Sequence, residues 1–339
     1  MSLRLSVLDQ SPIAKGRTPA EAVRETLELA QLCDRLGYVR YWLAEHHSSE
    51  ALAGSSPEVL IARVAGLTER IRVGSGGVML PQYSAYKVAE NFRMLETLFP
   101  GRIDLGIGRA PGSDQRTMRI LADGKPNWGN ADNYPLQVRD LEAWLHDALP
   151  NDHAGRGVTA QPVGESAPDV WFLGSSDDSA ALAAHFGLPF CFAHFINPDG
   201  GDGVTRAYRA HFRPSSFHPQ PMPLMATGVL CAETDEEADL LAKSRDVWAM
   251  RLRTTGNPGP IPSVEEALDA ARDPRVEAFV ASMRRRSLVG SPATVRAGLE
   301  EHAARYQVDE IMVVTICHDF EKRKRSYELL AREFGIAPL

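Results

Sequence analysis

The feature that most constrains this chain is an alternation. Short strand-like runs and longer segments of helical period follow one another from one end to the other. The strand candidates are Leu3–Asp9, Val39–Ala44, Ile71–Leu80, Arg102–Gly108, Asp169–Gly174, Leu188–Phe195, Leu224–Ala232 and Asp309–Ile316. Several are continuous apolar runs, as parallel strands require when helices cover one face and a packed interior lies against the other. Helical patterns fall between them at Pro19–Leu36, Pro57–Thr68, Ala85–Phe99, Asp178–Phe186 and Thr234–Arg253, and a last one at Glu321–Phe334. Eight β-α units without a break in composition predict one domain over residues 1–339. Its expected fold is α/β, a (β/α)₈ TIM barrel with insertions in the connecting loops.

Three segments interrupt the alternation. Pro111–Pro135 is rich in Gly, Asn and Pro, Asn151–Pro168 is polar and aperiodic, and Thr254–Gly290 carries Gly256-Asn257-Pro258-Gly259-Pro260 and then a basic helical piece ending Arg284-Arg285-Arg286. Each exceeds an ordinary βα or αβ connection, so each is a candidate for function or mobility. The last can cover the top of a barrel. The arginine triplet reads as a solvated helix end in preference to a binding patch.

Composition removes other classes. The 339 residues carry a formal net charge of -7, so no basic nucleic-acid surface is expected. Cys33, Cys191, Cys231 and Cys317 are far apart and lack C-x-x-C spacing, which suggests neither a zinc site nor a disulfide framework. No H-x-H or H-E-x-x-H spacing points to a metal hydrolase. The opening residues form no apolar leader and no run of about 18 apolar residues occurs, so a cytoplasmic protein without a membrane span is expected.

Barrel active sites lie at the C-terminal ends of the strands, which limits where chemistry can sit. The second strand ends Glu45-His46-His47. Alternation turns the two imidazoles in different directions, so one can reach the pocket while the other holds the loop. The third strand carries Gly74, Gly76 and Gly77, a costly composition for a strand that points to a close ligand approach, a bulge or an unusual peptide bond. It fails the G-x-G-x-x-G pattern at Met79. Arg109, after the fourth strand, can hold a phosphate or pair at the rim. Ser175, Ser176 and Ser179 open a helix, where they serve as caps or as an anion site. His194, ending the sixth strand, reads as a core or rim histidine.

Taken together, these runs resemble the bacterial luciferase-like monooxygenase family. The resemblance rests on Trp42-Leu43-Ala44-Glu45-His46-His47, on Ile71 through Pro81, on Gly101 through Arg109, on Leu173-Gly174-Ser175-Ser176 and on Val289-Gly290-Ser291-Pro292. It spans nearly the whole chain in order. It implies a homodimer paired through the second and third helices. It also implies FMN taken up as FMNH2 from a separate flavin reductase, with O2 adding at flavin C4a and the resulting peroxide oxidising a small organic substrate. On that resemblance Glu45 and His46 are catalytic. Gly76 and Gly77 meet the flavin across a non-proline cis peptide, and Arg109, Ser175, Ser176 and Ser179 bind the cofactor, with Arg139 a weaker candidate. Two other readings keep the fold: an F420-dependent hydride-transfer dehydrogenase, and a flavin-binding protein without turnover. Gly108 stands where the luciferases have cysteine, so steric control of the flavin can differ and light emission is not expected.

Overall fold

The structure, a computed structural model, describes residues 3–110, 112–122 and 133–337. Nine strands alternate with helices: β1 (Arg4–Asp9), β2 (Arg40–Leu43), β3 (Arg72–Met79), β4 (Ile103–Gly108), β5 (Asp169–Gly174), β6 (Phe190–Ala193), β7 (Pro223–Cys231), β8 (Ser287–Gly290) and β9 (Glu310–Val314). All neighbouring pairs are parallel. The order β6-β5-β4-β3-β2-β1-β9-β7 closes through a β6–β7 pairing, giving an eight-stranded (β/α)₈ barrel. The eight expected strands are its staves. The ninth, β8, was not expected; it pairs with β7 alone, outside the closed ring.

The helices start and stop for local reasons. Helix α1 (Pro19–Leu36) begins with a Thr18–Glu21 capping box and Pro19 in its first turn, and ends at Gly37 with φ 92°. Helices α2 (Pro57–Ala65) and α3 (Ala85–Leu98) fall within the expected segments and stop a little earlier, and α4 (Gln115–Leu121), α5 (Tyr134–Leu145), α6 (Asp177–Phe186) and α7 (Gly201–His211) follow. The Thr254–Gly290 insertion finishes α8 (Asp235–Thr255) and then forms α9 (Val264–Ala270), α10 (Pro274–Met283), which is the helical piece expected before the arginine triplet, and β8. The arginine triplet is held locally, with Arg284 on Asp246, Arg285 on Asp199 and Arg286 on the Ile196 carbonyl. Of Pro111–Pro135, residues 111 and 123–132 lie outside the described residues. No described helix is long and apolar enough to cross a membrane.

Strand alternation divides the apolar residues into two cores. Leu5, Val7, Tyr41, Leu43, Phe172 and Phe190 face the helices. Leu8, Trp42, Trp171, Cys191, Ala226 and Met312 face the barrel interior. Burying each large side chain is worth about 1.5–3 kcal/mol. Inside the barrel the Trp42 and Trp171 rings meet edge to face at 5.3 Å between centroids. They fit because the strands beside them carry glycine: a Cβ on Gly74 would stand 3.0 Å from Trp42, and one on Gly76 3.1 Å from it.

Below the indoles lies a buried ionic layer. Arg40 bonds Asp104 at 2.8 Å and Glu310 at 2.9 Å, Ser6 donates to Glu310 at 2.6 Å, and the Trp42 indole N–H donates to Asp104 at 2.8 Å. Burial pushes the Asp104 carboxyl up, but the Arg40 and Arg72 guanidinium groups outweigh it and hold it below the usual range. This layer lies toward the N-terminal end of the barrel, on strand-start residues Ser6, Arg40, Asp104 and Glu310.

Candidate active site

At the C-terminal ends of the strands the interior widens into a cavity of about 560 Å³. Glu45, His46, Gly76, Gly77, Arg109, Ser175, Ser176 and Ser179 all line it. Residues named from eight separate positions along the sequence are thus gathered in one place.

The Glu45-His46-His47 run divides as alternation requires. The His46 backbone N–H is fixed on Gly54 O at 2.8 Å, and its imidazole lines the cavity. Its Nε2 atom is buried, with no protein partner among the described residues. Burial lowers the imidazole to about 4 against the attraction of Glu45. The ring is therefore neutral at pH 7, with Nε2 left open to a hydrogen bond from a ligand in the cavity. His47 turns away and bonds Glu45 at 2.6 Å.

Glu45 is saturated with donors. Its Oε1 accepts from Tyr83 Oη at 2.6 Å and from His47 Nε2 at 2.6 Å, and its Oε2 accepts from the Met79 backbone N–H at 2.9 Å. Burial, and then the Glu45 bond, push the Tyr83 phenol well above its ordinary range, so it stays a donor. Sequence reasoning missed Tyr83. It stands just beyond β3, in the Leu80–Gln82 turn's shadow, and nothing in its neighbourhood marks it as a partner of a residue 38 positions away.

The third strand bears the irregularity its glycines suggested. The Gly76-Gly77 peptide is cis, and the β3–β4 register shifts between Ser75 and Val78. A Cβ on Gly76 would lie 2.6 Å from Leu8 Cδ1, and one on Gly77 2.6 Å from Leu173 Cδ1 and 2.8 Å from Gly106 O. At Gly77 the Gly106 backbone blocks a side chain, and at Gly76 one would have to displace Leu8, so bare backbone faces the cavity. A Cβ on Gly108 would meet nothing nearer than Met79 Sδ at 4.0 Å, so that wall has room.

The far end of the cavity is suited to an anion. Helix α6 (Asp177–Phe186) points its N-terminus there, where first-turn N–H groups have no partner within the helix. Ser176 occupies the N-cap without making a side-chain cap bond, and its Oγ lies 3.4 Å from Ser179 Oγ. The hydroxyls are thus available to a ligand. Asp177 and Asp178 are exposed and absent from the lining; Asp178 instead holds Arg109 at 3.4 Å across the rim. Arg139 is a correction: it sits on the exposed face of α5 (Tyr134–Leu145), paired with Asp140, and does not line the cavity. His194 lies outside the lining as well. It bonds Tyr306 Oη at 2.8 Å and donates from Nε2 to Arg285 O at 3.1 Å, as a structural histidine does. Gln10, Met118, Cys191 and Met312 are also among the lining residues, and the sequence carried no signal for them.

Comparison with known proteins shows the family and the fold. The family model for luciferase-like monooxygenase matches residues 3–310. A luciferase-like monooxygenase of Escherichia coli (strain K12) is 40% identical over 331 residues, covering 97% of this chain and 96% of that protein. The N-acetyl-S-alkylcysteine monooxygenase of Bacillus subtilis (strain 168) is 36% identical, with 97% of each chain covered. Among solved structures, apo-MsnO8 superposes with a TM-score of 0.90 at 39% identity, covering 99% of this chain and all of that one. The oxygenating constituent of 3,6-diketocamphane monooxygenase from Pseudomonas putida, solved in complex with FMN, shares the fold at a TM-score of 0.70 and 18% identity, covering 100% of this chain and 98% of that one.

Proposed function

Because the chain belongs to the luciferase-like monooxygenase family, we propose that it is the oxygenase of a two-component flavin monooxygenase. It would take up FMN as FMNH2 from a separate reductase and oxidise a small organic substrate with O2. One oxygen atom goes to the substrate, and the other leaves as water with two electrons from the reduced flavin and two protons.

The observation that carries this reading is the pairing of bare backbone with an anion end in one cavity. Gly76 and Gly77 leave a surface that only a side-chain-free strand can offer to a planar ring. Ser175, Ser176, Ser179 and the α6 N-terminus supply donors for a phosphate, and Arg109 supplies a positive charge at the rim. The FMN-bound relative of the same fold adds support.

Bound reduced flavin would supply the electrons that activate O2. The protein's part is to orient, exclude water and manage a proton. His46, neutral and unpartnered at Nε2, can accept a proton inside the cavity and return it. Glu45, with three donors fixed on it, holds the ends of β2 and β3 together and so sets where the His46 ring stands. The relative that oxidises N-acetyl-S-alkylcysteine makes thioethers a first substrate class to screen. Two copies would pair through α2 and α3.

Anaerobic titration with FMNH2, FMN and F420 tests the reading. Micromolar binding of FMNH2 with F420 at least tenfold weaker is expected. F420 bound more tightly than FMNH2, with no O2 consumed on mixing with reductase and NADH, would overturn it.

A further inference from the structure

The cavity has two unlike halves. Its anion end is built by β3, β4, β5 and α6. The opposite wall is built by β1, β6, β7 and β9, which contribute Leu8, Cys191, Ala193, Ala226 and Met312, with Phe195 just past β6. Among the described residues no charged side chain from this wall lines the cavity, and the Gln10 amide just past β1 is its polar group. The charges nearest its floor, Arg40, Asp104 and Glu310, are satisfied by one another. The Trp42 indole, which lines the cavity, spends its N–H on Asp104, while the Arg40 guanidinium lies 4.7 Å from the centroid of the Trp171 ring. The indoles thus screen the ionic layer. Burial pushes the Cys191 thiol far up, so it too is neutral. Asp9, at the end of β1, is turned outward onto Arg323 and Tyr41.

Resting on the flavin reading for the other half, we infer that this wall is a substrate chamber for an uncharged, apolar group. A charged group placed against these side chains would lose its hydration, and the ions beneath them, Arg40, Asp104 and Glu310, are already paired with one another behind the Trp42 indole. An alkyl, aryl or thioether group loses nothing and gains contacts with Leu8, Ala226 and Met312. Any ionic part of a larger substrate must therefore remain outside, at the cavity mouth.

The test uses three one-ring probes of nearly equal shape: toluene, benzoate and benzylammonium. Their binding to the full chain, loaded with FMN so that the anion end is filled, is followed by ligand-observed NMR. Toluene is expected to bind at least tenfold more tightly than either ion. Ala226→Asp should weaken toluene at least tenfold while FMN affinity stays within threefold, and Ala226→Leu, which only fills space, should also weaken it. Either ion binding within threefold of toluene overturns the inference, and so does toluene binding that neither variant changes. The ranking of probes on the unaltered protein decides the matter even when a variant fails to fold. If the chain does not bind FMN, the same ranking on the unloaded protein separates the two readings: toluene preferred without FMN binding sinks the flavin reading alone, and FMN bound with no toluene preference sinks this one alone.

Discussion

The Tyr83 phenol and the Glu45 carboxylate are joined by a 2.6 Å hydrogen bond that ties the turn after β3 to the segment after β2. With His47 Nε2 and the Met79 N–H on the same carboxylate, it makes one fastening under the cavity wall that carries His46.

Removing one donor and removing the acceptor should therefore differ. Tyr83→Phe deletes one bond of three and is expected to cost about 1.5–3 kcal/mol, because the acceptor is a carboxylate. Glu45→Ala strands three donors and should cost at least twice as much. Urea unfolding of both variants measures this. Equal losses would show that Glu45 is not the hub of the three.

Glu142 offers a prediction with a definite pH sign. Its side chain lies on α5 with Oε1 buried and unpartnered, and burial raises its carboxyl to about 7. The folded value lies above the ordinary one of 4.5, so the folded state binds this proton more tightly. The favourable contribution is full below pH 4.5 and is lost as pH rises through 7. Glu142→Gln, which keeps the shape without the ionisation, should be near-neutral at pH 4.5 and stabilising by about 1–3 kcal/mol at pH 8. Melting curves of both proteins at the two pH values decide it. A stabilisation that does not grow with pH would mean the carboxylate is already solvated.

What the sequence made legible, and what it did not, follows from the range of the interactions. The eight staves were readable because each is a local apolar run between helix caps, as at Thr18 and Gly37. The closure of β6 on β7 agrees with eight such units. The strand-end residues of the site were readable because barrel topology fixes which end faces the cavity. The short β8 was missed because its four residues, Ser287–Gly290, are strand only through pairing with β7. Tyr83 was missed for the same kind of reason: its role is set by a carboxylate 38 residues earlier. Arg139 was drawn in by the resemblance across a gapped stretch, and its place on the outer face of α5 depends on a helical register that this stretch concealed.

The α6 N-terminus makes Ser175 and Ser176 the test of the anion end. Each serine-to-alanine change should weaken FMN about tenfold or more, at roughly 1.5–3 kcal/mol per charge-assisted bond. Riboflavin, which lacks the phosphate, should lose less than threefold. Equal losses for the two ligands, measured by fluorescence quenching, would move the phosphate away from this helix.

Pairing through α2 and α3 has a surface to act on. Val59 on α2 is 68% exposed, and Met94 and Leu98 on α3 are 50% and 56% exposed. Three such residues on adjacent helices are better placed against a second copy than against water. Sedimentation should give a mass of two chains at micromolar concentration. Met94→Glu combined with Leu98→Glu should give one chain while the fold, read by circular dichroism, is kept. A single-chain mass for the unaltered protein would remove the dimer.

The last prediction concerns His46 and separates chemistry from scaffolding. Its Nε2 is buried without a protein partner, and its imidazole is neutral at pH 7. A group that served only to hold the loop would be expected to spend that nitrogen on a bond, as His194 does on the Arg285 carbonyl. The loop is already held by other means, through the His46 N–H on Gly54 and the Glu45 fastening. Truncation to His46→Ala should therefore leave FMNH2 affinity within about tenfold, while product formation falls by roughly 10²–10⁴, the usual worth of a positioned acid–base group. Oxygen would still be consumed, so released hydrogen peroxide should rise as product falls. A stability signature accompanies this. The folded imidazole at about 4 lies below its ordinary 6.5, so the unaltered protein loses the advantage of a neutral His46 as pH falls from 6.5 towards 4. His46→Gln has no such group to protonate and should lose less stability over that interval. Product yield, peroxide yield and melting temperature, taken on one preparation at pH 7.5 and pH 5, measure both effects. A variant that keeps its ratio of product to peroxide but melts lower at pH 7.5 would make His46 a structural residue and leave the proton to another group.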